Sequence, residues 1–360
     1  MFTQTLTSSL GERLRGTRLL SVLTGPHGVD RYTELLDPTL VLGDARAKVV
    51  AVRRTTPRSV TLKLAPNAAF TERHPLRAGQ HVNLTVEIDG RRHTRCYSPA
   101  NVEGAGELEL TIGHHDGGLV SSHLYDHAEV GMVVGLDGVA GEFVLPPERP
   151  RHLLFVAGGS GITPVMAMLR TLHAEGYDGT ATLLHYVRSA ADACYRDELA
   201  AMPGVRVLYG YTRDGVGDVT GHFGPEHLAA AVGERSVEPT VYVCGPAALA
   251  DAVRAHCTTV YSESFTPPEF VLPTEPSGGQ VSFTASEVGV VDDGRNLLEQ
   301  AEAAGLSPRH GCRMGICHTC TCRKTSGVVM NLTTGAVSSA DPENIQICVS
   351  VPVGDVQIDL

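Results

Sequence analysis

One loop decides the fold of the C-terminal part of this chain: HGCRMGICHTCTCR, residues 310–323, followed further along by ICVS, residues 347–350. Within the loop the first three relevant cysteines are separated by four and then two residues, and a last cysteine lies 28 positions further on. Two irons bridged by two sulfides need four thiolates, which a tight loop and one distant strand can supply. The spacing therefore predicts a [2Fe–2S] site with these ligands: Cys312, Cys317, Cys320 and Cys348.

Zinc is the alternative occupant of this loop. Structural zinc sites favour two short pairs of cysteine or histidine ligands, and only Cys317 and Cys320 form such a pair here. His310 and His318 also lie in the loop. A Rieske centre, however, would need its histidine ligands on two separate loops, whereas these two lie on the same one. The [2Fe–2S] prediction is therefore preferred, with Cys322 as a packed cysteine that is not a ligand.

Composition describes a folded protein with several domains. The chain has 360 residues, 42% hydrophobic and 19% charged, and a formal net charge of −11 without a basic stripe. These values argue against disorder and against nucleic acid as a partner. No apolar run approaches the roughly 20 residues of a membrane span, and residues 1–10 lack the pattern of a secretory signal. Nine cysteines, four of them crowded into residues 312–322, fit a reducing, cytoplasmic location better than a disulfide framework.

Upstream of the cysteine loop, changes in pattern predict the domain organisation. Pro267, Pro268, Pro273 and Pro276 precede Gly278 and Gly279 and mark a linker. Before it, strand and helix patterns alternate, which predicts a parallel α/β sheet; earlier still, short strand patterns between turns predict an antiparallel β-barrel. After the linker, a small third unit holds the cysteine loop. The predicted segments are a leader (1–45), barrel (46–150), α/β domain (151–266), linker (267–279) and cysteine domain (280–360).

A glycine-rich turn in the α/β part predicts a dinucleotide site. The string AGGSGITP, residues 157–164, follows a buried strand and opens a helical run. Glycines there let backbone amides approach a pyrophosphate, and Thr163 is expected to cap the helix. The predicted pyrophosphate residues are Gly158, Gly159, Gly161 and Thr163.

The end of the next strand indicates which nicotinamide coenzyme is used. A bare ribose 2′-hydroxyl is usually bound by a carboxylate, whereas a 2′-phosphate needs a guanidinium and hydroxyl groups. Arg188 and Ser189 follow this strand, with Arg196 a little further on. These residues favour NADPH over NADH, although Asp192 lies nearby in the sequence.

Two further strings lie upstream of the dinucleotide turn. RCYS, residues 95–98, ends a strand pattern, and GGLVSS, residues 117–122, begins a helix. Taken in order with the glycine-rich turn, they resemble the flavin domain of the ferredoxin–NADP reductase superfamily. Residues 293–323 and 347–350 likewise resemble a plant-type ferredoxin domain, which implies an α+β domain of β-grasp type. The whole chain resembles flavin-dependent reductases with a C-terminal ferredoxin domain, as in the phenylacetyl-CoA oxygenase reductase and phthalate dioxygenase reductase layout.

The resemblance implies a role for individual residues. Arg95 would neutralise a flavin phosphate, Tyr97 would lie along the flavin ring, and Ser98 would bind near flavin N5. A helix N-terminus would face the pyrophosphate through Gly118, Val120 and Ser121, in a pattern that favours FAD over FMN. Beside the nicotinamide the resemblance implies Cys244, Gly245 and Pro246, and near the flavin Glu263. The implied catalytic residues are Tyr97, Ser98, Cys244 and Glu263.

The implied activity is electron transfer from NADPH through FAD and [2Fe–2S] to an oxygen-activating partner. Residues 31–56, RYTELLDPTLVLGDARAKVVAVRRTT, resemble reductases that serve membrane fatty-acyl-CoA desaturases, so a desaturase is the predicted acceptor. The alternatives are a soluble Rieske oxygenase, a cytochrome P450 or a di-iron hydroxylase; a non-catalytic redox sensor is a further class. Any membrane association is expected to be peripheral and through the partner. No residues support a hydrolase or synthase.

Overall fold

A computed structural model describes residues 30–41, 43–213, 215–233, 238–265 and 278–360. The described residues form two compact units. The first runs up to His93 and continues over Tyr97–Phe265, and the second contains Thr94–Cys96 and the chain after Phe265. Most of the predicted leader and of the predicted linker lies outside the described residues, and the predicted domain boundaries stay predictions.

The N-terminal part of the first unit is an antiparallel sheet. Its strand order is β4-β3-β6-β1-β2-β5, and its core is apolar, with Val49, Leu62 and Leu110 completely buried. At the start of β1, over Arg46–Val49, partly exposed and buried positions alternate. This alternation is expected for a sheet that has one face covered. The elements are α1 (Asp30–Thr33), β1 (Arg46–Thr56), β2 (Ser59–Pro66), α2 (Ala68–Thr71), β3 (His81–Ile88), β4 (Arg91–Tyr97), β5 (Leu108–Gly113), α3 (Leu119–His127) and β6 (Val133–Ala140).

The rest of the first unit is a parallel sheet between helices. Its order is β10-β9-β8-β7-β11-β12. The apolar run Leu153–Ala157 of β7 is covered on both faces, because Phe155 packs in one buried cluster and Val156 in another. The elements are β7 (His152–Gly158), α4 (Ile162–Ala174), β8 (Thr180–Val187), α5 (Arg196–Ala201), β9 (Val205–Tyr211), β10 (Val219–Thr220), α6 (Pro225–Val232), β11 (Thr240–Cys244), α7 (Ala247–Arg254) and β12 (Val260–Glu263).

Buried polar contacts join these two sheets within the first unit. The hydroxyl of Tyr195 lies 2.5 Å from that of Thr111 on β5. Arg170 on α4 pairs with the equally enclosed Glu109 on β5 at 2.9 Å; it also pairs with the more exposed Glu198 on α5, within the parallel part, at 2.6 Å. Buried hydrogen-bonded and charged partners of this kind define a fixed arrangement because each would be costly to leave unpaired.

The second unit is a mixed sheet with one helix. The sheet order is β14-β13-β18-β15-β16, with β17 paired to β15. Helix α8 is capped by Asn296, whose side chain accepts from the backbone N–H of Glu299, and it contributes Leu297 and Leu298 to the core. The elements are β13 (Gln280–Phe283), β14 (Val288–Val291), α8 (Leu297–Ala303), β15 (Thr321–Asn331), β16 (Val337–Ser338), β17 (Glu343–Gln346) and β18 (Ser350–Asp359).

The three predicted fold classes are confirmed: an antiparallel β domain, a parallel α/β domain and a small α+β domain. Within the residues that the structure describes, no helix is both long and apolar enough to cross a membrane.

Candidate functional site

The four predicted cluster ligands meet in the second unit as two pairs of thiols. Cys312 and Cys317 are joined by two hydrogen bonds from backbone to sulfur. The N–H of Cys312 donates to Sγ of Cys317 at 3.2 Å, and the N–H of Cys317 donates to Sγ of Cys312 at 3.3 Å. Cys320 and Cys348 form a second hydrogen-bonded pair. Each iron of a [2Fe–2S] cluster takes two protein thiolates, so two pairs fit the group.

Hydrogen bonds within the pairs affect the pKa of two of the thiols. A hydrogen bond from Cys312 holds the pKa of the Cys317 thiol below its usual range. Cys348 has the same effect on the pKa of Cys320. Thiolates are the form of cysteine that ligates iron, so a lowered thiol pKa agrees with a ligand role. All four sulfur-bearing residues are buried.

Glycines shape the loop around these thiols. A Cβ at Gly311 would stand 2.7 Å from Sγ of Cys317, so a side chain there would displace a ligand. Gly315 has a φ of +75°, a conformation that favours glycine, and its carbonyl accepts a hydrogen bond from the amide of Gln346 at 2.6 Å. Cys322 lies on β15 opposite Ile345 and belongs to neither thiol pair.

The predicted flavin residues lie at the end of β4 and the start of α3. Arg95 and Tyr97 are half-buried on β4. Ser98, directly after the strand, is 2% exposed, and its hydroxyl has no hydrogen-bond partner among the described residues. A buried unpaired hydroxyl is costly unless a ligand satisfies it, so Ser98 fits a cofactor with a polar edge.

The start of α3 fits an anionic group. Gly118 is the N-cap and provides no side chain to satisfy the first N–H groups of the helix. Such an uncapped N-terminus with a glycine approach suits a pyrophosphate. The hydroxyl of Ser121 turns back to the carbonyl of Gly118 at 3.3 Å, and the side chain of Val120 packs into the sheet core, so Val120 could contribute only its backbone.

The glycine-rich turn after β7 is tightly built on one side and open on the other. A Cβ at Gly161 would lie 2.1 Å from the carbonyl oxygen of Cys244, and one at Gly158 would lie 2.8 Å from Pro246. Gly159 has a φ of +54° and nothing within 4 Å of its Cβ position. That open position leaves room for a phosphate next to backbone amides.

One expectation for this turn is wrong. Thr163 does not cap α4: the N-cap is Gly161, without a side-chain hydrogen bond, and the Thr163 hydroxyl donates to the carbonyl of Ser160 at 3.2 Å. The hydroxyl bonds within the turn because α4 starts at Ile162, before Thr163.

A buried histidine lies beside the same turn. Burial lowers the pKa of His185 to about 4, and its neutral ring lies 3.4 Å from the carbonyl of Gly159.

Cys244 and Glu263 lie side by side on neighbouring strands. They are register partners of β11 and β12, and the N–H of Gly245 donates to the carbonyl of Glu263 at 3.3 Å. Complete burial raises the pKa of the Cys244 thiol, which keeps it protonated and compact. Pro246 is the N-cap of α7. Cys244, Glu263 and the glycine-rich turn therefore meet at the carboxyl edge of the parallel sheet, where such sheets bind ligands.

Three arginines gather at the carboxyl ends of β8 and β9. Arg188 follows β8, and its carbonyl accepts from the N–H of Arg213, which follows β9. Arg196 begins α5, with its guanidinium over the ring of Tyr209 at 5.6 Å. The hydroxyl of Ser189 donates to Asp192 at 2.8 Å, so that hydroxyl already has an anionic partner.

Three residues of this region were missed by sequence reasoning. Arg213 follows the third predicted strand just as Arg188 follows the second, and that parallel position was a usable signal. His81 and His185 carried none, because one histidine among 16 looks the same whether it packs or supports a site. His81 Nδ1 lies 3.5 Å from Oε1 of Glu263, a contact that bridges 182 positions of sequence.

Comparisons with known proteins agree with this assembly. Residues 58–145 match the family model of an oxidoreductase FAD-binding domain, residues 155–255 that of an oxidoreductase NAD-binding domain, and residues 284–353 that of a 2Fe–2S iron–sulfur cluster binding domain. These matches confirm the predicted cofactors FAD, NADPH and [2Fe–2S], and they confirm an NAD(P)H-dependent oxidoreductase as the enzyme class. The match to a 2Fe–2S domain favours the iron–sulfur cluster over zinc as the occupant of the cysteine loop.

Relatives align with this chain over most of its length. An "NADPH oxidoreductase" of Mycobacterium tuberculosis is 32% identical over 356 residues, covering 95% of this chain and 91% of its own. The glycine betaine monooxygenase reductase subunit of Pseudomonas aeruginosa is 30% identical over 317 residues, covering 78% and 86%. The structure of phthalate dioxygenase reductase, 24% identical, covers 88% of this chain and 98% of its own with a TM-score of 0.59, so its fold is alike.

Proposed function

We propose that this chain, which belongs to the ferredoxin–NADP reductase superfamily members with a C-terminal [2Fe–2S] domain, is the reductase component of an oxygenase. As a member of that family it is an electron-transfer reductase that uses NAD(P)H, FAD and [2Fe–2S]. The observation that carries the proposal is the pairing of Cys312 with Cys317 and of Cys320 with Cys348 in a chain that also holds flavin and nicotinamide sites.

Electron counting explains why one chain needs all three sites. A nicotinamide gives two electrons at once as a hydride, a [2Fe–2S] cluster carries one, and a bound flavin can exchange either number. The residues of this chain supply binding and orientation. The turn at Gly159 and the uncapped start of α3 would hold two pyrophosphates, while Ser98, Cys244 and Glu263 would orient the rings for hydride transfer.

The acceptor is proposed to be an oxygenase component rather than a membrane desaturase. Of the three proteins just compared, two have names that refer to oxygenases, one to glycine betaine monooxygenase and one to phthalate dioxygenase; the name of the third, an NADPH oxidoreductase, refers to no acceptor. The desaturase prediction depends on residues 31–56. Of these, residues 46–56 form β1, a strand of the flavin sheet, so this part is accounted for by folding of the flavin domain without a partner.

The experiment offers both acceptor classes to one preparation of the reductase. Soluble and membrane fractions of the source organism, stripped of their own reductases, receive NADPH and the protein. We expect anaerobic NADPH oxidation to be stimulated by a component of the soluble fraction, and labelled stearoyl-CoA to remain unconverted by the membranes. Cys348→Ser protein is the control in both arms. Reductase-dependent formation of oleoyl-CoA would overturn the proposal in favour of the desaturase.

We infer that the three arginines at the ends of β8 and β9 select NADPH. Replacing both Arg188 and Arg196 by Ala in one variant is expected to lower kcat/KM for NADPH by at least about 100-fold, because each substitution removes a charge-assisted contact of about 1.5–3 kcal/mol to a 2′-phosphate. The value for NADH should change less than about threefold. Steady-state reduction of ferricyanide measures kcat/KM for both coenzymes.

The matched control is Arg206→Ala, because Arg206 lies on β9 but away from its carboxyl end. Equal losses of kcat/KM with both coenzymes would contradict the inference.

A further inference from the structure

We propose that His81 is a positioning residue for hydride transfer, which holds the carboxylate of Glu263 in the orientation that the reaction needs. The inference rests on the proposed function only in its first half, the transfer from NADPH to flavin. It adds His81 of the antiparallel sheet to a site in which the proposed function already includes Ser98, Cys244 and Glu263. The two strands involved are β3, which starts at His81, and β12, which ends at Glu263.

The contact between these side chains is enclosed. Nδ1 of His81 lies 3.5 Å from Oε1 of Glu263, with 4% and 11% of the two side chains exposed. Among the described residues, His81 is the only basic side chain within 4 Å of that carboxylate. A carboxylate this buried is costly without a partner, and catalytic hydrogen bonds are often long before a substrate tightens them.

The surroundings leave the imidazole little freedom. Ala140 on β6 pairs with His81 across the sheet. The next residue, Gly141, has a φ of +114°, and a Cβ there would lie 3.1 Å from Nδ1 of His81. The side chain of Gln80 donates to the carbonyl of Gly141 at 3.2 Å and holds this turn in place. The ring is thus confined between the turn and Glu263.

Unsatisfied oxygens beside the pair indicate where a bound ring would lie. Oε2 of Glu263 and Oγ of Ser98 are buried without a hydrogen-bond partner among the described residues. Strands β3 and β4 are joined by the two-residue turn Asp89–Gly90, both with positive φ, so His81 at the start of β3 and Ser98 directly after β4 lie at the same end of this hairpin. The contact of His81 with Glu263 brings that end of the hairpin to the end of β12.

The chemistry explains why orientation would matter. In hydride transfer from NADPH to the flavin, the nicotinamide C–H bond would break, the hydrogen would pass with both electrons into a new bond at flavin N5, and the nicotinamide ring would become positively charged. A fixed carboxylate near that ring stabilises the charge as it develops. If Nδ1–H of His81 donates to Oε1 of Glu263, the other oxygen is left to face the ring beside Cys244, its neighbour in register. Without the imidazole the carboxylate can rotate away.

A double-mutant cycle tests this coupling. His81→Phe keeps an aromatic ring without the donor, and Glu263→Gln removes the charge. In stopped-flow reduction of bound FAD by NADPH, we expect each single variant to lower the limiting rate by at least about 10-fold and to change the NADPH dissociation constant less than about threefold. The double variant should be no slower than Glu263→Gln alone, because His81 acts only through Glu263. Additive losses would overturn the proposal.

Further variants separate positioning from simple packing. His81→Asn places an amide donor close to the Nδ1 position and should restore the rate to within about threefold of wild type. His227→Phe removes another buried histidine, which pairs with Tyr186 and the Thr220 carbonyl. This variant should have a lower melting temperature and an unchanged limiting rate.

Flavin content is a second control. The ratio of FAD to protein, read from the visible spectrum, should stay unchanged in His81→Phe. Loss of flavin in that variant, or a His81→Asn variant as slow as His81→Phe, would contradict a positioning role. No acceptor takes part, so the result is independent of the acceptor's identity.

Discussion

Replacing Cys348 by Ser is expected to lower electron delivery to cytochrome c by at least about 100-fold while reduction of the flavin by NADPH stays within about twofold of wild type. Cys348 is the only one of the four ligands outside the loop, and its partner is Cys320. Without this thiolate one iron keeps a single protein ligand, so the cluster is lost or altered. The hydride-accepting half of the chain has its own fold and sites.

The measurement compares two acceptors on the same protein. Ferricyanide can take electrons from the flavin directly and should be reduced at the wild-type rate, whereas cytochrome c reduction should fail. Iron and sulfide content and the visible spectrum report the cluster itself. The matched control is Cys322→Ser, since Cys322 lies on β15 outside both thiol pairs and its loss should leave iron content and both rates unchanged. Full cytochrome c reduction by a cluster-free Cys348→Ser protein would contradict the proposed electron path.

Much of the fold follows from local sequence patterns. Apolar runs such as Leu153–Ala157 are buried on both faces and could be read as central parallel strands. The cysteine spacing was enough to predict the four ligands, because metal geometry constrains sequence directly. Glycines at a close approach, such as Gly161, were also recognisable from their position between a strand and a helix.

Other features depended on contacts that sequence does not display. Strand β4 reads RRHTRCY, mostly charged and polar, and β6 contains two glycines, so neither has an apolar alternation; neighbouring strands stabilise both. The pair His81–Glu263 and the hydroxyl contact between Thr111 and Tyr195 join residues far apart in the chain. Such contacts are created by tertiary packing, which one sequence cannot reveal through composition or periodicity.

Replacing Gly161 by Ala is expected to lower the free energy of unfolding of the first unit by about 3 kcal/mol and NADPH affinity by at least about 10-fold. A Cβ at this position would stand 2.1 Å from the carbonyl oxygen and 2.6 Å from the carbonyl carbon of Cys244. Both are backbone atoms of β11, so no side-chain rotation relieves the clash. Either the glycine-rich turn or the Cys244–Gly245 turn must move, and both belong to the nicotinamide site.

Thermal and chemical denaturation measure the stability loss, and titration of NADP⁺ by flavin absorbance measures affinity. Gly106→Ala is the matched control, because a Cβ there meets nothing within 4 Å and its φ lies outside the left-handed region; it should be neutral or slightly stabilising. If Gly161→Ala protein bound NADP⁺ as well as wild type, the close approach of the two turns would not be needed for the site. The loss is expected to be specific to the nicotinamide: bound FAD should remain, because its proposed contacts at Ser98 and the start of α3 lie on the antiparallel sheet's part of the chain.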